Sequence, residues 1–243
     1  MANTLRYALI TGATGTFGQA LVQELASHYD HFFLLGRHIN KLEVLDDSLK
    51  RANCTATLIP QDFTAPFDLS ILRNHIHEKT KALHFFAACA VTHPKAQPFK
   101  DVALTSWLQT FQVNFSVNVM LIKGLMPFFQ HDDLAYLLFP SCRFLPAYDT
   151  AYAASKAALD QFIENVAQEY VSRPHLKWCL ANPGLMQSPL LQALYPGYQQ
   201  KDFPLARERA QTLLKHLFDN TQAAQPLQKI DLDKPSSPFT IEH

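Results

Sequence analysis

Tyr152 and Lys156 stand four residues apart in Tyr152-Ala153-Ala154-Ser155-Lys156, a separation that on a helix places both side chains on one face, one turn apart. A tyrosine with an ordinary pKa near 10 parts with its proton reluctantly. An ammonium alongside stabilises the phenolate and makes the phenol usable as a general acid and base. Reduction of a carbonyl needs such a donor beside the hydride acceptor. Ser141, eleven residues upstream at the end of an apolar run, reads alone as a turn residue. Beside a tyrosine and a lysine it reads as a hydroxyl that orients the carbonyl and hydrogen-bonds the developing alkoxide.

A second group of residues suits a dinucleotide. Thr11-Gly12-Ala13-Thr14-Gly15-Thr16-Phe17-Gly18 directly follows the first apolar run and opens the first helical pattern, the context that a dinucleotide-binding turn requires. Gly12 permits the tight turn, Gly15 lets backbone amides approach a pyrophosphate, and Gly18 allows the helix to pack closely on the strand. The helix N-terminus favours the anion. After the second apolar run comes Gly36-Arg37-His38, with no acid to hold the ribose hydroxyls of NAD. Arg37 offers a 2′-phosphate a charge and a planar fork of donors, which favours NADP(H) over NAD(H). Asp62 suits either a hydrogen bond from the adenine amino group or the cap of the helix that follows.

These residues need a scaffold, and the apolar pattern supplies one. Leu5 to Ile10, His31 to Leu35, Ala56 to Pro60, Ala82 to Ala88, Leu134 to Phe139 and Leu176 to Leu180 are short apolar segments, as expected of strands buried on both faces of a parallel sheet. Helix-length stretches separate them. After Tyr152, the residues Leu159, Phe162, Ile163, Val166, Ala167 and Tyr170 recur at three- and four-residue steps and mark a core-facing helix. Trp107 to Gln130 reads as one long helix perturbed by Pro127 near its end. Arg207 to Asp219 reads as the last helix, Leu227 to Leu232 as a final strand, and residues 233–243 as an irregular tail. The alternation predicts an α/β fold, a Rossmann-type doubly wound parallel sheet in three layers, α/β/α, as one domain over residues 1–232.

Composition removes other classes. The chain has 243 residues, and its hydrophobic fraction of 48% against 17% charged is enough to build a core, which excludes a disordered chain. Its 21 basic and 21 acidic residues cancel, so no global field attracts nucleic acid or an anionic membrane. The longest apolar run, Phe85 to Val91, is far short of the roughly 20 residues that span a bilayer. With an apolar strand and the glycine run already under way by Gly12, no room is left for a signal peptide, and a cytoplasmic location is expected. Cys54, Cys89, Cys142 and Cys179 match no zinc or redox spacing and are expected to be reduced thiols. No metal site is expected, since the histidines form no HExxH arrangement.

The ordered set of glycine run, Ser141, Tyr152 and Lys156 resembles the short-chain dehydrogenase/reductase family over about Leu5 to Leu232. The resemblance implies a nicotinamide cofactor held by Gly12, Thr14, Gly15, Thr16, Phe17 and Gly18, by Ala88 after the fourth strand, and by Pro183 and Gly184 of Asn182-Pro183-Gly184. It implies Tyr152 as acid/base, Lys156 holding the nicotinamide ribose, Ser141 positioning substrate, and Asn114 supporting a water relay to the lysine. Ser188 falls where a threonine usually contacts the carboxamide or phosphate. It also implies a small-molecule carbonyl or alcohol substrate, and a homodimer or homotetramer. This sequence departs from the family pattern in three places. Thr16 stands at the middle glycine of the compact members' motif, Ala87-Ala88-Cys89-Ala90 replaces their NNAG, and Ser141 lies about two residues nearer the tyrosine than is usual.

The leading expectation is an NADP(H)-dependent oxidoreductase. A non-catalytic dinucleotide-binding regulator and an epimerase or lyase using bound dinucleotide are the alternatives. Leu185 to Phe203 carries Met186, Leu190, Leu191, Leu194, Tyr195, Tyr198 and Phe203, more apolar groups than a solvated loop needs. It suits a lid over substrate, a packing element on the last helix, or a subunit contact. Cys142 is expected to be an inert packing residue near the pocket.

Overall fold

In the computed structural model of the chain, which describes residues 5–142, 147–194, 196–219 and 227–233, the apolar runs become strands almost residue for residue. They are β1 (Tyr7–Thr11), β2 (His31–Gly36), β3 (Thr55–Pro60), β4 (Phe85–Ala88), β5 (Ala135–Pro140), β6 (Leu176–Asn182) and β7 (Leu227–Asp231). All pair in parallel in the order β3-β2-β1-β4-β5-β6-β7. Every residue of β2, β4 and β6 is buried, whereas β3 and β7 at the edges are mostly half-exposed. Continuous apolar sequence is the signature of strands covered on both faces.

Alternation along each strand divides the core into two layers. Leu9, Phe33, Phe86 and Leu137 face one side with Leu72 and Ile76 of α3 (Leu69–His77), Leu121 and Leu125 of α5 (Val117–Leu125), and Leu159 and Ile163 of α6 (Thr150–Glu169). Ile10, Phe32, Leu34 and Leu138 face the other with Leu21 and Leu25 of α1 (Thr16–Leu25), Leu42 and Leu45 of α2 (Ile39–Arg51), and Leu213 and Leu217 of α8 (Ala206–Asp219). This is the doubly wound, three-layer Rossmann-type architecture that the alternation of runs predicts. Strand order reverses between β1 and β4, and a crevice opens outside the carboxyl ends of strands at such a switch point.

The segment read as one long helix is not uniform. It begins earlier, with α4 (Leu104–Phe111), passes through a π-helical turn at Gln112–Ser116, continues as α5, and tightens into a 3₁₀ turn at Met126–Phe129 that contains Pro127. The π turn widens the helix by one residue at Asn114, where the side chain leaves the helix for partners outside it. Among the described residues no helix is long and apolar enough to cross a membrane. Of residues 233–243, only Asp233 lies within the described residues.

Candidate active site

The glycine turn closes β1 onto β4. Gly12 has φ +62°, and a Cβ there would stand 2.6 Å from the backbone of Cys89 and Ala90, so a side chain is excluded by conformation and by space. A Cβ at Gly18 would collide with the carbonyl of Gly12, which accounts for the third glycine as a packing requirement. Gly15 donates its N–H to Gly12 O at 2.9 Å and precedes α1 without a side-chain cap. Uncapped amides in the first turn of α1 then border the cleft beside Thr14, Thr16 and Phe17. The turn after β4 lacks asparagines but is tied by Thr11 instead. The Thr11 hydroxyl donates to Ala87 O at 3.4 Å and accepts from Ala90 N at 3.2 Å.

The cleft, about 580 Å³, runs from Arg37, His38 and Lys41 past Ala88 to Tyr152 and Lys156. Lys41, in the first turn of α2, escaped the sequence reading as a cleft residue. Asp62 also lines the cleft. It accepts from both the N–H and the hydroxyl of Thr64 at 2.9 Å, and these bonds hold its carboxyl below the usual range, with Arg37 and His38 adding a smaller pull. The cap of α3 is Asp68, which accepts from Ser70 N at 2.8 Å. Asp62 therefore closes a local turn and does not cap the helix.

Tyr152 and Lys156 sit one turn apart at the start of α6, and both line the cleft. Lys156 is buried and donates from Nζ to the carbonyl of Pro140. Burial lowers its pKa, opposed by Asp160 and less strongly by the nearby Cys142 and Cys89 thiols. Ser141 donates its hydroxyl proton to Asp160. Burial raises the Asp160 pKa, and the Ser141 bond and the Lys156 charge oppose that rise. Ser141 also walls the main cleft from a second cavity of about 80 Å³, lined by Asp160, Glu164, Asn182 and Lys229.

Asn114 does not line the cleft surface but braces it from behind. Its Oδ1 accepts from Thr92 N at 2.9 Å, and its Nδ2 donates to Thr92 O and to Ser155 Oγ, each at 3.0 Å. Its own carbonyl accepts from Asn118 Nδ2 at 2.9 Å. The braced strand-to-helix loop carries His93, whose ring lies against that of Tyr152, tilted by 33°, with centroids 4.2 Å apart. No local motif flags His93, because the contact joins residues far apart in sequence.

The far wall is the Asn182-Pro183-Gly184 turn. Gly184 has φ +71°, and its N–H donates to Asn182 Oδ1 at 3.0 Å. Asn182 Nδ2 donates to Asp231 and Asp233, and Asp233 also accepts from Leu185 N at 3.3 Å. Asp233, two residues after β7, lines the cleft and so belongs to the site. Ser188 lines the cleft too, while its hydroxyl accepts from Leu191 N at 3.0 Å and caps the short helix α7 (Pro189–Leu194). Leu185, Met186, Leu190 and Leu191 form an apolar rim. Gln187 and Gln200 bind the segment to itself through Phe203, Pro204 and Ser188. Tyr195 lies outside the described residues.

Among the described residues, one cluster, His84, His131 and Asp133, has ligand atoms within 4.8 Å of one another. His84 Nδ1 accepts from Tyr7 N at 3.2 Å, so the proton of the neutral ring lies on Nε2, the atom that a metal would need. The hydrogen bonding thus works against a metal there.

The short chain dehydrogenase family model matches residues 6–199. A very-long-chain 3-oxoacyl-CoA reductase-like protein of Arabidopsis thaliana is 26% identical over 175 residues, 68% of this chain and 54% of that protein. The human inactive hydroxysteroid dehydrogenase-like protein 1 is 25% identical over 174 residues, 69% of this chain and 52% of that protein. The chain thus spans about half the length of both relatives. A short chain dehydrogenase of Shigella flexneri 2a solved with NADP superposes with TM-score 0.84 at 22% identity, over 93% of this chain and 96% of that one.

Proposed function

Because the chain belongs to the short-chain dehydrogenase family, we propose that it is an NADP(H)-dependent oxidoreductase that interconverts a carbonyl and an alcohol. One observation carries this reading. The glycine turn, the Arg37 and Lys41 cations with His38 between them, and the Tyr152–Lys156 pair line one continuous cleft. The residues present fit the cofactor. Uncapped amides of α1 suit the pyrophosphate, the cations suit a 2′-phosphate, and the Shigella neighbour was solved with NADP.

The bound nicotinamide supplies or accepts the hydride. The protein supplies position and the proton. Tyr152 Oη gives a proton to the developing alkoxide in reduction and takes it back in oxidation. Lys156, fixed by the Pro140 carbonyl, holds the ribose and stabilises the phenolate. Ser141 orients the substrate oxygen. Asp160 accepts the hydroxyl proton of Ser141 and holds that side chain beside the cleft. Asn114 fixes the Thr92 loop against Ser155, and the resemblance adds a water relay to Lys156. The apolar rim of Leu185, Met186, Leu190 and Leu191 favours an apolar aldehyde or ketone.

The test is NADPH oxidation against a panel of alkyl and aryl aldehydes and ketones, with the alcohol product identified. Consumption of NADPH matched by alcohol is expected. Tight NADPH binding with no turnover across the panel would favour the non-catalytic regulator instead, and turnover without net NADPH loss would favour an epimerase or lyase.

A further inference from the structure

Arg209 takes no part in the chemistry described above, yet it and Asp233 engage both hydrogen-bonding groups of one cleft residue. Leu185 opens the apolar rim and lines the cleft with Gly184 and Asp233. Its N–H donates to Asp233 Oδ1 at 3.3 Å, and its carbonyl accepts from Arg209 Nη2 at 3.2 Å. The two side chains reach it from different elements, Arg209 from α8 and Asp233 from just beyond β7. Arg209 Nη2 and Asp233 Oδ1 lie 4.0 Å apart, and the side chains are 18% and 17% exposed.

Each arm of this arrangement is tied in turn. Arg209 Nη1 donates to Leu232 O at 2.6 Å, so the planar fork of the guanidinium bridges the end of β7 and the start of the rim. Asp233 Oδ2 accepts from Asn182 Nδ2 at 3.1 Å, and the Asp233 N–H donates to Asp231 Oδ1 at 3.1 Å. Gly184 shows that the turn is shaped around these side chains. A Cβ there would collide with the Asp233 carboxylate and stand 3.0 Å from Arg209 Nη2. Further along, the bonds of Gln187 and Gln200 run within the rim itself. The Leu185 peptide is therefore where side chains of α8 and of the segment after β7 set the position from which the rim extends.

Hydride transfer to a carbonyl that Tyr152 protonates puts the nicotinamide at the Tyr152 end of the cleft, against the wall made by Asn182-Pro183-Gly184 and Leu185. We propose that Asp233 and Arg209 are positioning residues for this half of the cofactor: they clamp the Leu185 peptide at its N–H and its carbonyl and keep that stretch of wall formed before the nicotinamide arrives. A wall already in place spares the ligand the cost of ordering it. The adenosine half lies at the other end of the cleft, by Arg37 and Lys41, and gains nothing from the clamp. This rests on the reading of the cleft as an NADP(H) site.

Calorimetric titrations with NADPH and with adenosine 2′,5′-bisphosphate, which carries the adenine and the 2′-phosphate but no nicotinamide, separate the two halves without a substrate. In Asp233→Ala the dissociation constant for NADPH is expected to rise about three- to tenfold, the equivalent of one ordinary hydrogen bond, while that for the bisphosphate keeps its wild-type value. Arg209→Ala is expected to do the same, with Arg209→Gln in its place if it does not fold. Because both side chains act on one peptide, the double variant should weaken NADPH binding by less than the product of the two single effects. Unchanged NADPH binding in either single variant, or an equal loss for both ligands, overturns the inference, since a general support of the fold would not distinguish the two halves. Single effects that multiply in the double variant overturn it too, as separate contacts in place of one clamp. Wild-type protein that binds neither ligand removes the cofactor reading and the inference with it, an outcome that no change confined to the variants can produce.

Discussion

Asn118 donates from Nδ2 to the main-chain carbonyl of Asn114 at 2.9 Å, and both residues are buried where the π turn passes into α5. The residue to which the family resemblance gives a water relay to the lysine is thus held at its main chain by a side chain of this protein. A buried amide that loses its acceptor contact, or a carbonyl that loses its donor, costs about 1–3 kcal/mol. Asn118→Leu is therefore expected to destabilise the fold by that amount, read as a lowered urea midpoint with an unchanged slope. An unaltered midpoint would mean that the contact adds no stability.

Cofactor choice should follow the cations at the end of β2. Arg37 and Lys41 should make NADPH bind more tightly than NADH by about 1–3 kcal/mol, the scale of charge-assisted hydrogen bonds. Fluorescence titrations of wild type, Arg37→Ala and Lys41→Ala with both cofactors measure it. The preference should shrink in each variant. Equal affinities in the wild type would show that the 2′-phosphate is not read here.

Stability should fall in mild acid. His31 and His84 are buried, and burial lowers the pKa of each to about 4, below the unfolded value of about 6.5. Between those values the unfolded chain binds protons that the folded chain refuses, so stability is full above about pH 6.5 and declines as the pH drops toward 4. Urea midpoints across that window should show the decline. A double variant, His31→Gln with His84→Gln, should show a shallower one.

The rim over the cleft is expected to respond to ligand. Residues 185–203 follow Gly184, whose positive φ suits a pivot. Amide hydrogen exchange in 185–194 and 196–203 should slow when NADPH binds. Slow exchange in the free protein that NADPH leaves unchanged would identify a fixed packing element, the other reading of its apolar content.

The strands, the glycine turn and the Tyr152–Lys156 spacing were legible because each is a local pattern. Burial on both faces writes a continuous apolar run, and one helical turn writes a separation of four. What escaped the sequence depends on contacts between distant segments. The π turn at Asn114 leaves the apolar pattern of its helix intact, so periodicity cannot register it. Asp160 meets Ser141 only after α6 packs back on β5. His93 meets Tyr152 only because the loop after β4 lies against the start of α6. Asp62 and Asp68 are both plausible caps by residue type, and only the path of the backbone gives Asp68 the amide of Ser70. Ser188 was placed at the cleft, but its role as the cap of α7 depends on a helix too short for its pattern to announce.

The most direct test of the central claim compares Tyr152→Phe with Lys156→Ala in NADPH binding and in single-turnover reduction of whichever carbonyl compound the panel yields. Tyr152→Phe should bind NADPH nearly as the wild type does and lose roughly 10²- to 10⁴-fold in turnover, the contribution of a positioned acid. Lys156→Ala should lose both, since it removes a ribose contact as well as the charge beside the phenol. Wild-type turnover in Tyr152→Phe would contradict the assignment of Tyr152 as the proton donor.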